Sequence, residues 1–204
     1  MNRPQRVRTD PDEMRARILE VAEEYFRRVG YQKTSVADIA AELGMSPANI
    51  YRFFPSKSAI NESICGRVTR EIVDLAFSVA RTRAPASEKL DRLLMAVHRH
   101  NKATLIKEKR THDMVVAAME ENWPVIKAHV EQLVTIIEGV IREGVEAGEF
   151  SVDDPVETAR AVKLSFLPFF HPLLIQQCIE QGEDTEANLR VQIRFILKAL
   201  GAAE

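Results

Sequence analysis

Residues 44–57, GMSPANIYRFFPSK, combine a tight turn, a short helix and an aromatic cluster. Ser46 is a typical helix cap, and Pro47 follows at the first helical position, where a missing amide proton costs nothing. Ile50 and Phe54 are four residues apart, so both can pack inward from one face of this helix. The remaining side chains of the helix are then exposed. The stretch therefore predicts a short helix that is held from below and presented to another molecule.

A second short helix precedes this one. Ser35 can cap it, with Asp38 at the third helical position as in a capping box. Ile39 and Leu43 are four apart and give it a buried face, and Gly44 ends it. Two short helices joined by a three-residue turn have the spacing of a helix-turn-helix.

The rest of the chain also follows the helical period. Apolar residues recur every three or four positions from Pro11 to Val29, between a capping Asp10 and a terminating Gly30. Pro168 and Pro172 should kink the helix that contains them. Further helices are predicted at 56–82, 87–108, 111–121, 124–147, 154–180 and 185–200. We therefore predict an all-α protein of about nine helices.

Charge is distributed unevenly along the 204 residues. The net charge is −2, but residues 1–60 hold ten Lys and Arg against eight Asp and Glu, whereas residues 61–204 hold 18 against 22. Arg3, Arg6 and Arg8 precede the first acidic residue, so the N-terminal tip forms a basic arm. Such an arm can contact nucleic-acid phosphates. A tail without a role is the alternative.

The sequence also predicts the compartment. No apolar segment follows the basic N-terminus, and the longest apolar run, SFLPFFHPLLI, has 11 residues, which is far short of the ~20 that span a bilayer. Cys65 and Cys178 are not part of a paired cysteine motif. We expect a cytoplasmic protein with two packed thiols and no membrane partner.

Together these motifs resemble the TetR/AcrR family of transcriptional regulators. The resemblance covers residues 11–60 and is architectural beyond them. Pro47 stands where the family often has a basic residue, and Ala48 where it usually has glycine, so base recognition is expected to be more apolar than usual. The matching motifs are Gly30-Tyr31, Thr34-Ser35, Asp38-Ile39-Ala40, Gly44-Met45-Ser46, Ile50-Tyr51, Phe53-Phe54 and Ser56-Lys57.

The resemblance implies a DNA-binding domain at residues 1–57, whose recognition helix enters the major groove of double-stranded DNA. Phosphate contacts are expected from Thr34, Ser35, Tyr51 and Lys57, and base contacts from Pro47, Ala48, Asn49 and Arg52. Packing is the alternative for Tyr51, helix capping for Thr34 and Ser35, and a solvated charge for Lys57.

The resemblance also implies that residues 58–204 bind an effector and dimerise, so that two DNA-binding domains contact a palindromic operator. The family dimerises through its last two long helices, which here are predicted at 154–180 and 185–200. Apolar residues of these helices that can face a second copy are Leu164, Phe169, Leu174, Ile193, Leu197 and Leu200.

Methionines, aromatic residues and a few histidines are concentrated in the middle of the chain. This composition suits a cavity for an apolar effector. Ordinary core packing is the alternative for each residue. The candidates are Met95, His98, Met114, Met119, Trp123, His129, Phe166 and Phe170. His98 and His100 are two apart and diverge on a helix, so neither a metal nor another cofactor is predicted.

The predicted function is a homodimeric repressor that a small molecule releases from DNA by moving the fourth helix. A DNA-binding regulator or architectural protein controlled by a protein partner is the alternative. Catalysis is not expected, because the sequence contains no nucleophile elbow, phosphate-binding loop or zinc-protease motif.

Overall fold

The computed structural model describes residues 10–106, 109–120 and 124–202, with side chains throughout these ranges except at 105–112. Within them the chain is helical and forms no strand, which confirms the predicted all-α class. The basic arm and Trp123 lie outside the described residues. The helices are α1 Pro11–Arg28, α2 Val36–Glu42, α3 Pro47–Tyr51, α4 Lys57–Ala80, α5 Ala86–Asn101, α6 Lys109–Glu120, α7 Pro124–Glu146, α8 Pro155–Phe170, α9 Pro172–Glu180 and α10 Thr185–Ala199, with a π-helical turn Lys102–Ile106 after α5.

The chain divides into two compact units between Ile64 and Cys65. We expected the boundary at residue 57, and the division falls inside α4 instead of at its start. Helices α1, α2 and α3 belong to the first unit, and α5 to α10 belong to the second. Helix α4 therefore begins in one unit and continues without interruption into the other.

Local signals explain the bounds of α1. The carboxylate of Asp10 accepts a hydrogen bond from an amide of the first turn, and Gly30 follows the helix with φ 106°, a conformation that favours glycine. The fully buried ring of Phe26 packs edge to face on Tyr31, with ring centroids 5.2 Å apart. This contact anchors the chain between α1 and α2.

The core of the second unit lies among α5, α7, α8 and α10, together with the end of α4. Each helix contributes a stripe of apolar residues at the three-to-four spacing seen in the sequence, which is why burial follows the predicted periodicity. The buried side chains at its centre include Ile72, Leu90, Leu94, Leu133, Ile137, Ile141, Phe166, Leu189 and Ile193.

The N-terminus of α5 is stabilised by a contact that the sequence did not reveal. We expected this helix to start at residue 87, from local signals alone. Instead, the carboxylate of Glu149, which follows α7, accepts hydrogen bonds from the amides of Ala86 and Ser87 at 2.9 and 3.1 Å. These bonds, led by that of Ala86, hold the pKa of Glu149 below its ordinary value. A distant side chain thus satisfies the free amides of the first turn.

The predicted helix 154–180 is two helices, and this corrects the sequence-based expectation of a single kinked one. Pro168 lies inside α8, whereas the break comes at His171, whose backbone (φ −76°, ψ 123°) is extended. Pro172 favours this conformation in the residue before it and then occupies the first position of α9. Two prolines four apart therefore have different effects, because only the second is preceded by an extended residue.

Two glycines of α7 give a matched test of its packing. A Cβ at Gly144 would overlap the ring of Phe150, whereas a Cβ at Gly139 meets nothing within 4 Å. We expect Gly144→Ala to lower the free energy of unfolding by about 1–3 kcal/mol through overpacking. Gly139→Ala should raise it by roughly 0.5–1 kcal/mol, since alanine favours the helix. Urea titrations of the two variants measure both changes in the free energy of unfolding. Equal changes in the two variants would contradict the described packing.

None of the helices in the described ranges combines the length and the apolar character that crossing a bilayer requires.

Candidate functional site

Helix α3 presents one face and buries the other. The side chain of Ile50 is fully buried and that of Phe54 nearly so. On the opposite face Tyr51 keeps 52% of its surface exposed. The other exposed residues of this face are Pro47, Ala48, Asn49 and Arg52. A helix of barely more than one turn is marginal alone, so these buried contacts hold it in place.

The turn between α2 and α3 fixes the angle at which α3 is presented. Gly44 has φ 63°, and its amide bonds the carbonyl of Ala41 at 3.1 Å. The amide of Met45 bonds the carbonyl of Ala40 at 2.8 Å. Together these bonds close the end of α2 in the pattern that left-handed glycine caps produce. The exposed residues of α3 therefore project from a defined turn.

Ser35 and Thr34 both have roles within the fold. The hydroxyl of Ser35 accepts from the amide of Asp38 at 3.2 Å, and the amide of Ser35 donates to the Asp38 carboxylate at 2.8 Å, which completes the predicted capping box. The hydroxyl of Ser35 also lowers the pKa of Asp38. Thr34 is only 3% exposed, and its hydroxyl donates to the carbonyl of Gly30 at 2.9 Å. Its side chain thus stabilises the turn before α2.

Lys57 connects the start of α4 to the same turn. Its ammonium donates to the carbonyls of Tyr31 and Thr34 at 2.8 and 3.0 Å, and it lies 4.4 Å from the centroid of the Tyr31 ring. Both bonds are charge-assisted, and the ring face attracts the cation as well. The solvated charge considered for Lys57 is therefore a structural tie. No pattern in the sequence relates Lys57 to these partners, which precede it by 26 and 23 residues.

In the second unit, two cavities and a cleft meet at Phe170 and Val130. The first cavity, of about 20 Å³, is lined by helices α5, α7 and α8. The second, also about 20 Å³, is lined by α4, α5, α6 and α7 together with the last residue of α8 and the first of α9. The cleft has a volume of about 420 Å³ and opens between α7 and α8. Phe170 and Val130 line all three.

These spaces include half of the predicted effector residues. Met119, His129, Phe166 and Phe170 line at least one of them. The other described candidates, Met95, His98 and Met114, are buried and line none of the three spaces. Lining residues that sequence reasoning missed are Val68, Thr69, Asn101, Val130 and Lys163.

His98 and Asn101 hold the end of α8. A ring nitrogen of His98, Nδ1, donates to the carbonyl of Phe169 at 2.8 Å, and the amide nitrogen of Asn101 donates to the carbonyl of Phe170 at 3.0 Å. Nε2 of His98 lies 3.0 Å from the hydroxyl of Thr185 and accepts from it. These side chains replace the amides that α8 would have supplied had it continued, because the helix stops there.

His129 of α7 is the most perturbed titratable group in the described cavities. Its side chain is 5% exposed and stacks on Phe170, with ring centroids 5.7 Å apart and 16° between the planes. Burial lowers the pKa of His129 to about 4, against a smaller opposing effect of its hydrogen bond to the backbone of Thr69. The ring is therefore neutral at physiological pH and carries one N–H.

The predicted dimer residues divide by exposure. Ile193 and Leu200 are buried in the core of their own chain, so their side chains are not accessible to a second copy. Phe169, Leu174 and Leu197 are partly buried. Leu164 is the one predicted residue that is well exposed. Val191 and Phe195 of α10, which the sequence reasoning missed, are exposed as well.

Neither a disulfide nor a group of three potential metal ligands occurs in the parts of the chain that the structure describes. Cys65 is buried, with its sulfur 3.9 Å from the carbonyl of Met114, and Cys178 is partly buried. Burial raises the pKa of Cys178.

Comparison with known sequences identifies relatives for both units. The family model described as "Bacterial regulatory proteins, tetR family" matches residues 18–64. The model described as "Tetracyclin repressor-like, C-terminal domain" matches residues 86–189, which is half of the chain. A fatty acid metabolism regulator protein of Bacillus subtilis (strain 168) is 24% identical over 149 residues, covering 70% of this chain and 74% of that protein.

Solved structures share the fold. PfmR, a TetR family transcriptional regulator from Thermus thermophilus, is 25% identical with a TM-score of 0.59, covering 89% of this chain and 97% of that one. SmeT, the repressor of a multidrug efflux pump of Stenotrophomonas maltophilia, was solved in complex with triclosan. That complex is 19% identical with a TM-score of 0.65, covering 91% of this chain and 90% of SmeT.

Proposed function

Because this chain belongs to the TetR family of bacterial transcriptional regulators, we propose that it is a homodimeric repressor released from a palindromic operator by a small, largely apolar effector. The observation that carries the proposal is α3, which buries Ile50, is followed by the buried Phe54 and exposes its opposite face. Such a helix can enter the major groove of DNA with its N-terminal end first. We place this activity in the bacterial cytoplasm.

The exposed residues of α3, and Arg52 at its C-terminal end, have the chemistry for base recognition. Asn49 can pair with adenine through two hydrogen bonds, and Arg52 can pair with guanine in the same way. Pro47 and Ala48 suit contact with a thymine methyl group. Tyr51 supplies an exposed hydroxyl for a phosphate oxygen.

The residues of the preceding turn position this surface. Ser35 remains exposed at the N-terminus of α2, where an amide-rich helix end favours a phosphate. Thr34 and Lys57 are bound to the turn itself, so we now propose that they act chiefly by holding it rigid.

A second copy would cover the apolar surface of α8 and α10. Leu164 and Phe195 are among the most exposed large apolar side chains of the described residues, and their helices pack against each other. Exposed apolar residues on neighbouring elements are typical of an interface. Dimerisation through this surface doubles the number of base contacts, which a single short helix cannot supply in sufficient number.

The effector part of the proposal rests on the spaces around Phe170. Two cavities of about 20 Å³ are much smaller than an ordinary ligand site of roughly 300–1,000 Å³. Ligand entry therefore requires Phe170 to move and join them to the 420 Å³ cleft. SmeT in complex with triclosan and the fatty acid metabolism regulator of Bacillus subtilis support an effector with a large apolar part.

Helix α4 offers a direct route from effector to DNA. Val68, Thr69 and Ile72 of α4 line the second cavity, and the same helix begins at Lys57. An effector that displaces α4 would therefore act on the turn that Lys57 holds. Binding energy that differs between the two positions of α4 would set the extent of release.

A regulator controlled by a protein partner is the second candidate. The small volume of the two cavities favours it, as does the exposed ring of Phe77 on α4. In that case the second unit would have a filled interior, and no small molecule would alter DNA binding.

Selection of genomic DNA fragments by the purified protein tests the proposal. We expect recovery of inverted half-sites centred about one helical turn apart. Genes beside the recovered sites would then guide the choice of effectors, and a true effector should lower operator affinity. Selection of single or direct-repeat sites would contradict a symmetric homodimer on DNA. Recovery of no preferred sequence would contradict the proposal that the protein is a sequence-specific repressor.

The Phe195→Glu variant tests the dimer surface. Phe195 is 66% exposed, so the change should leave the fold intact while placing a carboxylate in the interface. We expect a monomer by analytical ultracentrifugation and a loss of high-affinity binding to the inverted half-sites. Phe77→Glu is a matched control, because Phe77 is 51% exposed and lies on α4. An unchanged dimer in the Phe195 variant, or equal dissociation in both, would contradict this surface.

A further inference from the structure

The second cavity contains more hydrogen-bonding capacity than its surroundings use. It is lined mainly by apolar side chains, together with Asn101 and His129. Asn101 is 1% exposed and His129 is 5% exposed, so water outside the protein does not reach their polar atoms. Within the described ranges, Oδ1 of Asn101 and Nδ1 of His129 are buried and have no hydrogen-bond partner.

Both unpartnered atoms are acceptors. The amide nitrogen of Asn101 donates to the carbonyl of Phe170, and this bond fixes Oδ1 as the atom left over. The neutral ring of His129 uses its single N–H for the backbone of Thr69, which leaves Nδ1 with a lone pair. An unsatisfied buried acceptor costs free energy that a suitable donor would recover.

We propose that the second cavity is the inner end of the effector site and selects a neutral ligand group bearing an O–H or N–H donor. This inference deepens the proposed function and depends on it for the site being regulatory. The preferred effector would have an apolar body and a hydroxyl, amide or amine-type N–H at its buried end. Donation to Nδ1 of His129 would fix its orientation, and Oδ1 of Asn101 would remain available to a second donor.

The same chemistry excludes an anion at this end. A carboxylate has only acceptors, so facing two further acceptors it would gain no hydrogen bond and would lose its hydration. Cations occur instead at the cleft, which is lined by Lys127 and Lys163 together with Glu131. A charged group on the ligand would therefore lie at the cleft, while the donor lies inside.

Phe170 controls access to the acceptors. Its ring stacks on His129 and lines both cavities and the cleft. Its carbonyl is held by Asn101, so the ring can rotate while the backbone stays fixed. Rotation would join the three spaces and uncover the ring of His129.

Isothermal titration with three para-substituted butylbenzenes tests the selection. We expect 4-butylphenol to bind the intact protein at least about fivefold more tightly than 4-butyltoluene, although the methyl group is the more hydrophobic. 4-Butylbenzoate should bind more weakly than the phenol. Binding of the toluene that equals or exceeds that of the phenol would overturn the proposal.

Two variants assign the preference to this cavity. His129→Phe removes the acceptor but keeps an aromatic ring against Phe170, and it should abolish the preference for the phenol. Phe170→Ala should raise the affinity for both the phenol and the toluene and retain their ratio. Should His129→Phe fail to fold, the ¹⁵N resonance of Nδ1 in the wild-type protein gives the answer, because a donated hydrogen bond shifts it. No shift on saturation with the phenol would overturn the proposal.

A single buried water is the competing occupant. A space of about 20 Å³ holds one water, which could donate to both acceptors. If water alone fills it, none of the three probes will bind either the wild-type or the Phe170→Ala protein, and the inference is wrong. Operator release is measured separately: discrimination without release would contradict the proposed function alone, whereas release by an apolar effector without discrimination would contradict this inference alone.

Discussion

A protein in which Asn49 and Arg52 are both replaced by alanine is expected to bind its selected operator at least about 30-fold more weakly than the wild type. Each bidentate contact with a base is worth roughly 1–3 kcal/mol, and the double variant loses two of them. Both side chains are exposed, so their removal should not alter the fold. Fluorescence anisotropy with labelled operator at one fixed salt concentration measures the loss.

Arg17→Ala is the matched control for charge. Arg17 is exposed on α1 and has the same charge as Arg52 but lies outside the proposed reading face. Its removal should change the affinity by less than about threefold, since one distant charge contributes only a screened interaction. The double variant should also lose discrimination against operators mutated at the contacted bases. Unchanged affinity and discrimination would mean that α3 does not read the DNA.

The helix-turn-helix was predictable because its signals are local. Ser35 and Asp38 are three residues apart and form their capping box within one turn of helix. Ile50 lies in α3 and Phe54 just beyond its end, where the amide of Phe54 donates to the carbonyl of Ile50 at 3.0 Å, and both side chains are buried as predicted. Each of these contacts is encoded within a few residues, so periodicity and capping rules are sufficient to identify it.

Contacts between distant segments were not predictable in the same way. Glu149 caps α5 from more than 60 residues away, and His98 holds a carbonyl 71 residues away. No pattern in the intervening sequence relates these partners. His98 was assigned to a cavity for this reason: a histidine among apolar residues looks the same in sequence whether it lines a pocket or bonds a helix end.

The dimer surface shows a related limit. Ile193 and Phe195 are both apolar residues of α10, two positions apart, yet the first is buried and the second exposed. Helical spacing places them on different faces but does not say which face meets the protomer's own core. That choice depends on how α10 packs against α5 and α8, which the sequence of α10 does not contain.

The wild-type protein is expected to lose stability between pH 7 and pH 4 through His129. In the unfolded chain this imidazole has a pKa of about 6.5, whereas burial lowers its pKa to about 4 in the folded protein. Between these values only the unfolded chain binds the proton, so acid favours unfolding. The contribution to the free energy of unfolding should fall by about 2 kcal/mol at pH 5 and about 3 kcal/mol at pH 4, and should be constant above pH 7.

His129→Phe separates this contribution from the other titrating groups. Phenylalanine can keep the stacking on Phe170 but binds no proton. His98, whose pKa burial also lowers, remains in both proteins, so its effect cancels in the difference. Urea titrations followed by circular dichroism should therefore show a smaller acid loss in the variant. If the difference in unfolding free energy between the two proteins stays constant from pH 7 to pH 5, then His129 takes up its proton while folded, and the cavity beneath Phe170 must already admit water.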